Sequence, residues 1–217
     1  MMLRRCLFIA VAMVPLSIAD STAWGQTADR VVNIIMEDQF RNRRETGAFR
    51  GDVVVLVYAE RKGAEAALDL GRKLHLLFHP TAAQASASEW SRQPVVGLPG
   101  WPAHVRVPDV HVIPVASMPE VPKPLEHVAR ARLRTDSPHV SVWLDFEGVL
   151  ESSFGLVPGG PNVVVLDTQG RKYSVRSGHL DELEFKELAA EVDQIRMRSF
   201  PGQGGQSTAA MPTAVRR

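Results

Sequence analysis

The chain has 217 residues, 45% hydrophobic and 23% charged, with 25 Lys and Arg against 24 Asp and Glu and a formal net charge of +1. That length suits one domain with appendages, and the near-neutral balance gives no basis for nucleic acid or an anionic membrane as a partner. Only one cysteine is present, Cys6, which leaves little room for disulfide exchange or thiol peroxidation, both of which need a thiolate.

Residues 1–25 read as an export signal. Arg4 and Arg5 give a basic start, residues 7–16 an apolar core, and Ala23-Trp24-Gly25 a cleavage site with small residues. The apolar core is shorter than the roughly 20 residues a membrane span requires; retention as an uncleaved anchor is the alternative. Cleavage after Gly25 removes Cys6 together with Arg4, Arg5 and Asp20, and leaves a formally neutral, cysteine-free chain that begins at Gln26. No later run is long enough to cross a bilayer. Such a chain has neither thiol-disulfide oxidoreductase nor peroxiredoxin activity from its own residues. Exported domains commonly carry disulfides; this one must hold together by its core. The domain itself is expected over residues 30–200, and the Gly/Gln/Ala-rich tail 201–217 reads as disordered.

After a short apolar run at 31–36, the segment EDQFRNRRETGAFRGD reads as a hairpin lead-in, with Arg41, Arg43 and Arg44 on a solvated face. Residues 53–58 (VVVLVY) are a continuous β-branched run, the pattern of a strand buried on both faces. Residues 59–63 lead into a helix whose Ala67, Leu70, Leu74 and Leu77 recur on one face, and Pro80 ends it. Strand, short loop and helix call for a parallel partner strand. His75 and His79 have a spacing that can place two imidazoles on one metal, but no third ligand is evident. Caps at the helix C-terminus suit them better. The Pro-rich stretch 81–108, with Trp90 and Trp101, is an irregular insertion, either a flap over the loop carrying Lys62 or a surface connector.

Residues 110–115 (VHVIPV) form the second core strand. His111 is there as a satisfied or exposed strand residue, and Pro114 is at odds with a strand interior. Residues 125–133 predict a short basic helix, 140–146 a third strand, 145–148 a turn and 149–154 a short helix. The stretch FGLVPGGPNVVVLDTQG (154–170) follows. In it Pro161 opens a buried run, residues 163–166, and Thr168-Gln169-Gly170 makes a hairpin turn into a returning strand, 172–176. Asp181 and Glu184 form a capping box for a last helix that buries Phe185, Leu188, Val192 and Ile195. Its acidic start and basic end (Arg196, Arg198) suit the helix dipole.

This order of elements, with Asp38-Gln39-Phe40, Phe49-Arg50-Gly51, the Asp145-Phe146-Glu147-Gly148 turn, Gly159-Gly160-Pro161 and Gly178, resembles the thioredoxin-like (redoxin) superfamily. It looks especially like the exported, cysteine-poor YtfJ-type branch. The resemblance implies an α/β fold, a thioredoxin-like mixed central sheet with helices on both faces. It also implies a cis-proline at Pro161, and a place beside Gly160 and Pro161 where an extended peptide or substrate pairs with the backbone. In redox-active relatives two cysteines occupy the loop and first helical turn after the first core strand. Here Glu60, Arg61, Lys62, Gly63, Ala64 and Glu65 stand there, so no thiol chemistry is carried over.

Three functions are compatible with these residues. The first is a non-catalytic, exported domain that binds an unidentified protein or peptide, with Gly160, Pro161, Glu60, Arg61 and Lys62 as binding candidates; a sheet edge beside Gly160 would accept a peptide strand. The second is acid/base chemistry by Glu60 or Glu65 beside Lys62, since carboxylates near a basic group shift one another's pKa. The third is metal binding through His75 and His79. The favoured reading assigns no catalytic residue, no metal and no cofactor.

Overall fold

The computed structural model describes residues 31–200; the expected signal at 1–25 and tail at 201–217 lie outside the described residues. Seven strands form one mixed sheet. They are β1 (Ile35–Asp38), β2 (Arg43–Glu45), β3 (Val53–Ala59), β4 (Val110–Ser117), β5 (Trp143–Asp145), β6 (Asn162–Leu166) and β7 (Lys172–Ser177), in the spatial order β2-β1-β5-β4-β3-β6-β7. β3 pairs in parallel with β4 and antiparallel with β6, which places residues 53–58 and 163–166 side by side at the centre. Every residue of β3 and of β6 is buried, as expected of unbroken β-branched runs.

Four α-helices accompany the sheet among the described residues: α1 (Ala64–Phe78), α2 (Glu126–Asp136), α3 (Val149–Phe154) and α4 (Glu182–Arg198). On one face Val53, Val55 and Val57 pack with Leu70 and Leu74 of α1 and with Leu188 and Val192 of α4. On the other face Val54, Leu56 and Val164 pack with Leu150 of α3 and with Ile34 and Trp143. The alternation of strand side chains thus splits the core in two, and helices lie on both faces as expected. In α1 the buried stripe ends on Phe78, with Leu77 43% exposed, because a four-residue step from Leu74 stays closer to the sheet than a three-residue step. The Asp181–Glu184 capping box starts α4 as read from the sequence.

Several expectations need correction. The third strand begins only at Trp143, because the buried Gln39 takes the backbone before it: its amide nitrogen donates to the carbonyls of Ser137 and Val140, and its oxygen accepts from the Val142 N–H. Arg44 is paired rather than merely solvated, at 2.9 Å from the buried Asp38. Pro114 sits in mid-strand without harm. β5 pairs with β4 only from Val115 onward, so Pro114 has a ladder partner on one side alone, an edge-like position that tolerates proline.

The later part of the 81–108 insertion packs at the end of the sheet to which α1 returns the chain, where the Val96 N–H donates to the Phe78 carbonyl. Its Ala87 and Trp90 lie along α1 beside Ala67 and Arg72, and no insertion residue shares a groove with Lys62. Its carbonyls at Val96 and Pro108 accept hydrogen bonds from the fully buried Arg196 of α4 at 2.6 and 2.9 Å. Arg196 therefore clamps the insertion, beyond any role at the helix dipole. Among the described residues no helix is long and apolar enough to cross a membrane.

Candidate functional site

Three backbone segments meet at the end of the sheet where β3 gives way to α1. The turn at Arg61–Gly63 is a single 3-10 turn, and Gly63 is buried in it. A Cβ on Gly63 would lie 2.7 Å from the Gly160 carbonyl carbon, and one on Gly160 would lie 3.5 Å from Gly178 Cα. Three glycines allow this convergence because a side chain on Gly63 has no room. Gly178 adds a positive φ of 98° and donates its N–H to the Pro161 carbonyl at 2.8 Å. The positions read from the sequence, residues 60–65 and Gly160-Pro161, are thus brought together.

Asn162 holds the turn before Pro161 in shape. Its side-chain nitrogen donates to the carbonyls of Val157 and Gly160, and its oxygen accepts from the Val157 N–H. A buried asparagine at the head of a β-branched run opposes strand preference, which is the sequence signal that marks it. Two expectations fail here. The Gly160–Pro161 peptide is trans, since the described residues contain no cis peptide bond. Nor does a sheet edge lie beside Gly160: β6 is enclosed between β3 and β7, and the edges are β2 and β7.

What opens beside Pro161 is a groove of about 730 Å³ between the first turns of α1 and the β7–α4 connection. Pro161, Ala66, Leu70, Leu180 and Phe185 supply its apolar surface. Lys62, Lys73, Glu65, Asp69, Asp181 and Glu182 supply its charges. Asp181 is occupied in capping α4, and Glu182 pairs with Lys186 at 2.6 Å. Lys62 and Glu65 are exposed on the rim, and Glu60 is half-buried. Glu60, Arg61 and Gly160 do not line the groove. The α1 and α4 residues of the groove were not singled out from the sequence, because only the fold sets these two helix starts face to face.

The histidine pair does other work. His75 and His79 stack with ring centroids 4.4 Å apart. His75 Nε2 lies 2.9 Å from the Trp90 carbonyl, and His79 reaches the carbonyls of Gln93 and Val110, both at 3.0 Å. Their rings fasten the insertion to α1 and β4, and they neither cap the helix carbonyls nor converge on a metal. Among the described residues no group of three or more His, Cys, Asp or Glu is placed to hold a metal ion. Burial, with the neighbouring His79, pushes the His75 pKa below its ordinary value against the opposing pull of the Trp90 carbonyl. His111, for its part, is a satisfied strand residue, 3.1 Å from Asp52 and packed on Phe49.

No family model matches the chain, and no curated protein matches it. Solved structures do. A protein of Neisseria meningitidis assigned as a thioredoxin matches with a TM-score of 0.50 and 15% identity, over 83% of this chain and 97% of that one. A secreted thiol-disulfide isomerase of Corynebacterium glutamicum gives a TM-score of 0.47 and 15% identity over 76% of this chain and 86% of that one. The exposed lipoprotein thioredoxin of Streptococcus pneumoniae gives 0.46 and 14% over 74% and 99%. The Neisseria likeness, with the mixed seven-stranded sheet, makes the fold thioredoxin-like. At such identities it speaks for the fold alone.

Proposed function

We propose that this is an exported thioredoxin-like domain of the YtfJ-type branch that binds a protein or peptide segment in the Pro161 groove, without thiol chemistry of its own. The observation that carries this reading is the groove itself. It opens where the Lys62 turn and Pro161 meet, yet no residue from 31 to 200 is a cysteine. Export rests on the basic, apolar and small-residue pattern of residues 1–25.

The chemistry of the groove suits a peptide. An apolar floor takes alternate side chains of an extended segment, and a charged rim fixes its direction and composition. Even with Lys186 counted against Glu182, the four carboxylates Glu65, Asp69, Asp181 and Glu182 exceed Lys62, Lys73 and Lys186 by one, and this small negative excess favours peptides carrying Lys or Arg. Binding of fluorescently labelled extended peptides, basic and acidic in turn, tests the reading against wild type and Ala66→Trp, a change at a half-buried groove wall. A basic peptide should bind saturably, and the tryptophan should weaken it by about tenfold or more, roughly 1.4 kcal/mol. Absence of binding to any peptide, or equal binding by the variant, would sink it.

A further inference from the structure

We propose a second site, on the other side of α1, that takes an alkyl carboxylate: an apolar tail laid on the uncovered part of β4, with its carboxylate at Arg72. This inference is independent of the Pro161 groove. Ala66, Asp69 and Lys73 of α1 face that groove, whereas Ala67, Gly71 and Arg72 line a separate cavity of about 420 Å³, and the two share no lining residue.

The cavity lies beside a helix, α2, none of whose apolar residues is fully buried or joins either core cluster. The buried residue of α2 is Arg130, which is engaged with the Asp38 carbonyl and with Glu37, while Leu125 and Val128 beside it are 52% and 53% exposed. Val112 and Pro114 of β4 are left as a half-buried floor where a helix would ordinarily cover the sheet. Trp90, Pro138 and Val140 wall it. An apolar cavity of this size with few polar groups is the usual form of a small-molecule site.

The charge at the mouth selects the head group. Arg72 is exposed and makes no ion pair or hydrogen bond among the described residues. The acidic residue of the lining, Asp136, already faces Arg132 at 3.5 Å. The uncompensated full charge at the mouth is therefore positive, and a guanidinium matches a carboxylate with two parallel hydrogen bonds. An amphiphile with an anionic end and a single alkyl chain satisfies the cavity and its mouth together.

Isothermal calorimetry with hexanoate, decanoate and decanol on the full chain tests this. Decanoate should bind saturably with one site per chain, more tightly than hexanoate by up to roughly fourfold per added methylene. Decanol should bind more weakly than decanoate. Arg72→Glu should lose about tenfold or more, and Ala87→Trp, which fills the cavity from an exposed position on the insertion, should abolish binding. Ala66→Trp, in the other groove, should leave decanoate binding unchanged, so the two readings fail separately. No saturable decanoate binding, equal affinity for decanol, or indifference to both Arg72→Glu and Ala87→Trp would each overturn the proposal.

Discussion

A methyl group at position 63 would approach the Gly160 carbonyl carbon to 2.7 Å, and the obstacle is backbone rather than a side chain able to swing away. Gly63→Ala should therefore destabilise the domain by about 1–3 kcal/mol, the usual cost of overpacking. Gly97→Ala is the matched control, since nothing lies within 4 Å of a Cβ there; urea unfolding of the two variants checks the difference. The same crowding sets the partly buried Gly160 between Gly63 and Gly178, and the groove opens on the Pro161 side, between two helix starts. Asn162 belongs to the same scale, since one buried amide shapes the turn from Val157 to Gly160.

For the insertion at 81–108, the deciding contacts come from two helices. Arg196 donates to its carbonyls at Val96 and Pro108, while His75 and His79 hold Trp90 and Gln93. Without Arg196, two carbonyls near the core lose their donors, at a cost of about 1–3 kcal/mol. Arg196→Met should therefore lower stability by that amount and expose the insertion to limited proteolysis ahead of the sheet. Within residues 31–200, fragment masses should show the first cuts between residues 85 and 108. Cleavage no faster than in wild type would mean that the histidines hold the insertion unaided. Helix α2 is the converse case: its one buried side chain is Arg130 rather than an apolar residue, and part of the sheet beside it is left open.

Across the whole molecule, stability depends on acid through groups held in their native charge states at different places. Burial keeps His75 neutral below its ordinary 6.5, so between that value and the lower folded one the unfolded chain binds the extra proton. Stability should fall as pH drops below 6.5. For Asp52, burial alone would raise the pKa, but hydrogen bonds from Arg106, the Asp109 N–H and His111 outweigh it and hold the carboxyl below 3.8. Asp38 is likewise held low against its burial by Asn42, Arg44 and the Phe40 N–H. Their contribution is present above 3.8 and is lost as pH falls through the depressed folded values. Urea titrations from pH 8 to pH 3 should show both losses, with His75→Gln reducing the first and Asp52→Asn reducing the second.

Much of this architecture was legible from residue order alone. The β-branched runs of β3 and β6, the periodicity of α1 and α4, the capping box at Asp181 and the turn at 145–148 are local signals. Each is written within a few residues, as backbone preference or a short-range hydrogen bond, and so can be read without knowing the neighbours. The meeting of residues 60–65 with Gly160-Pro161 was also foreseeable, because it follows from the order of elements. Other features depend on which distant segments converge, and local pattern carries little trace of that. The glycine junction needed three chain segments in place. The groove needed α1 and α4 to start side by side, and the insertion's position needed α1 to carry the chain to the far end of the sheet. Arg196 left a partial signal, four residues after the buried Val192, but only the packed fold supplied the carbonyls that make a buried guanidinium stable there.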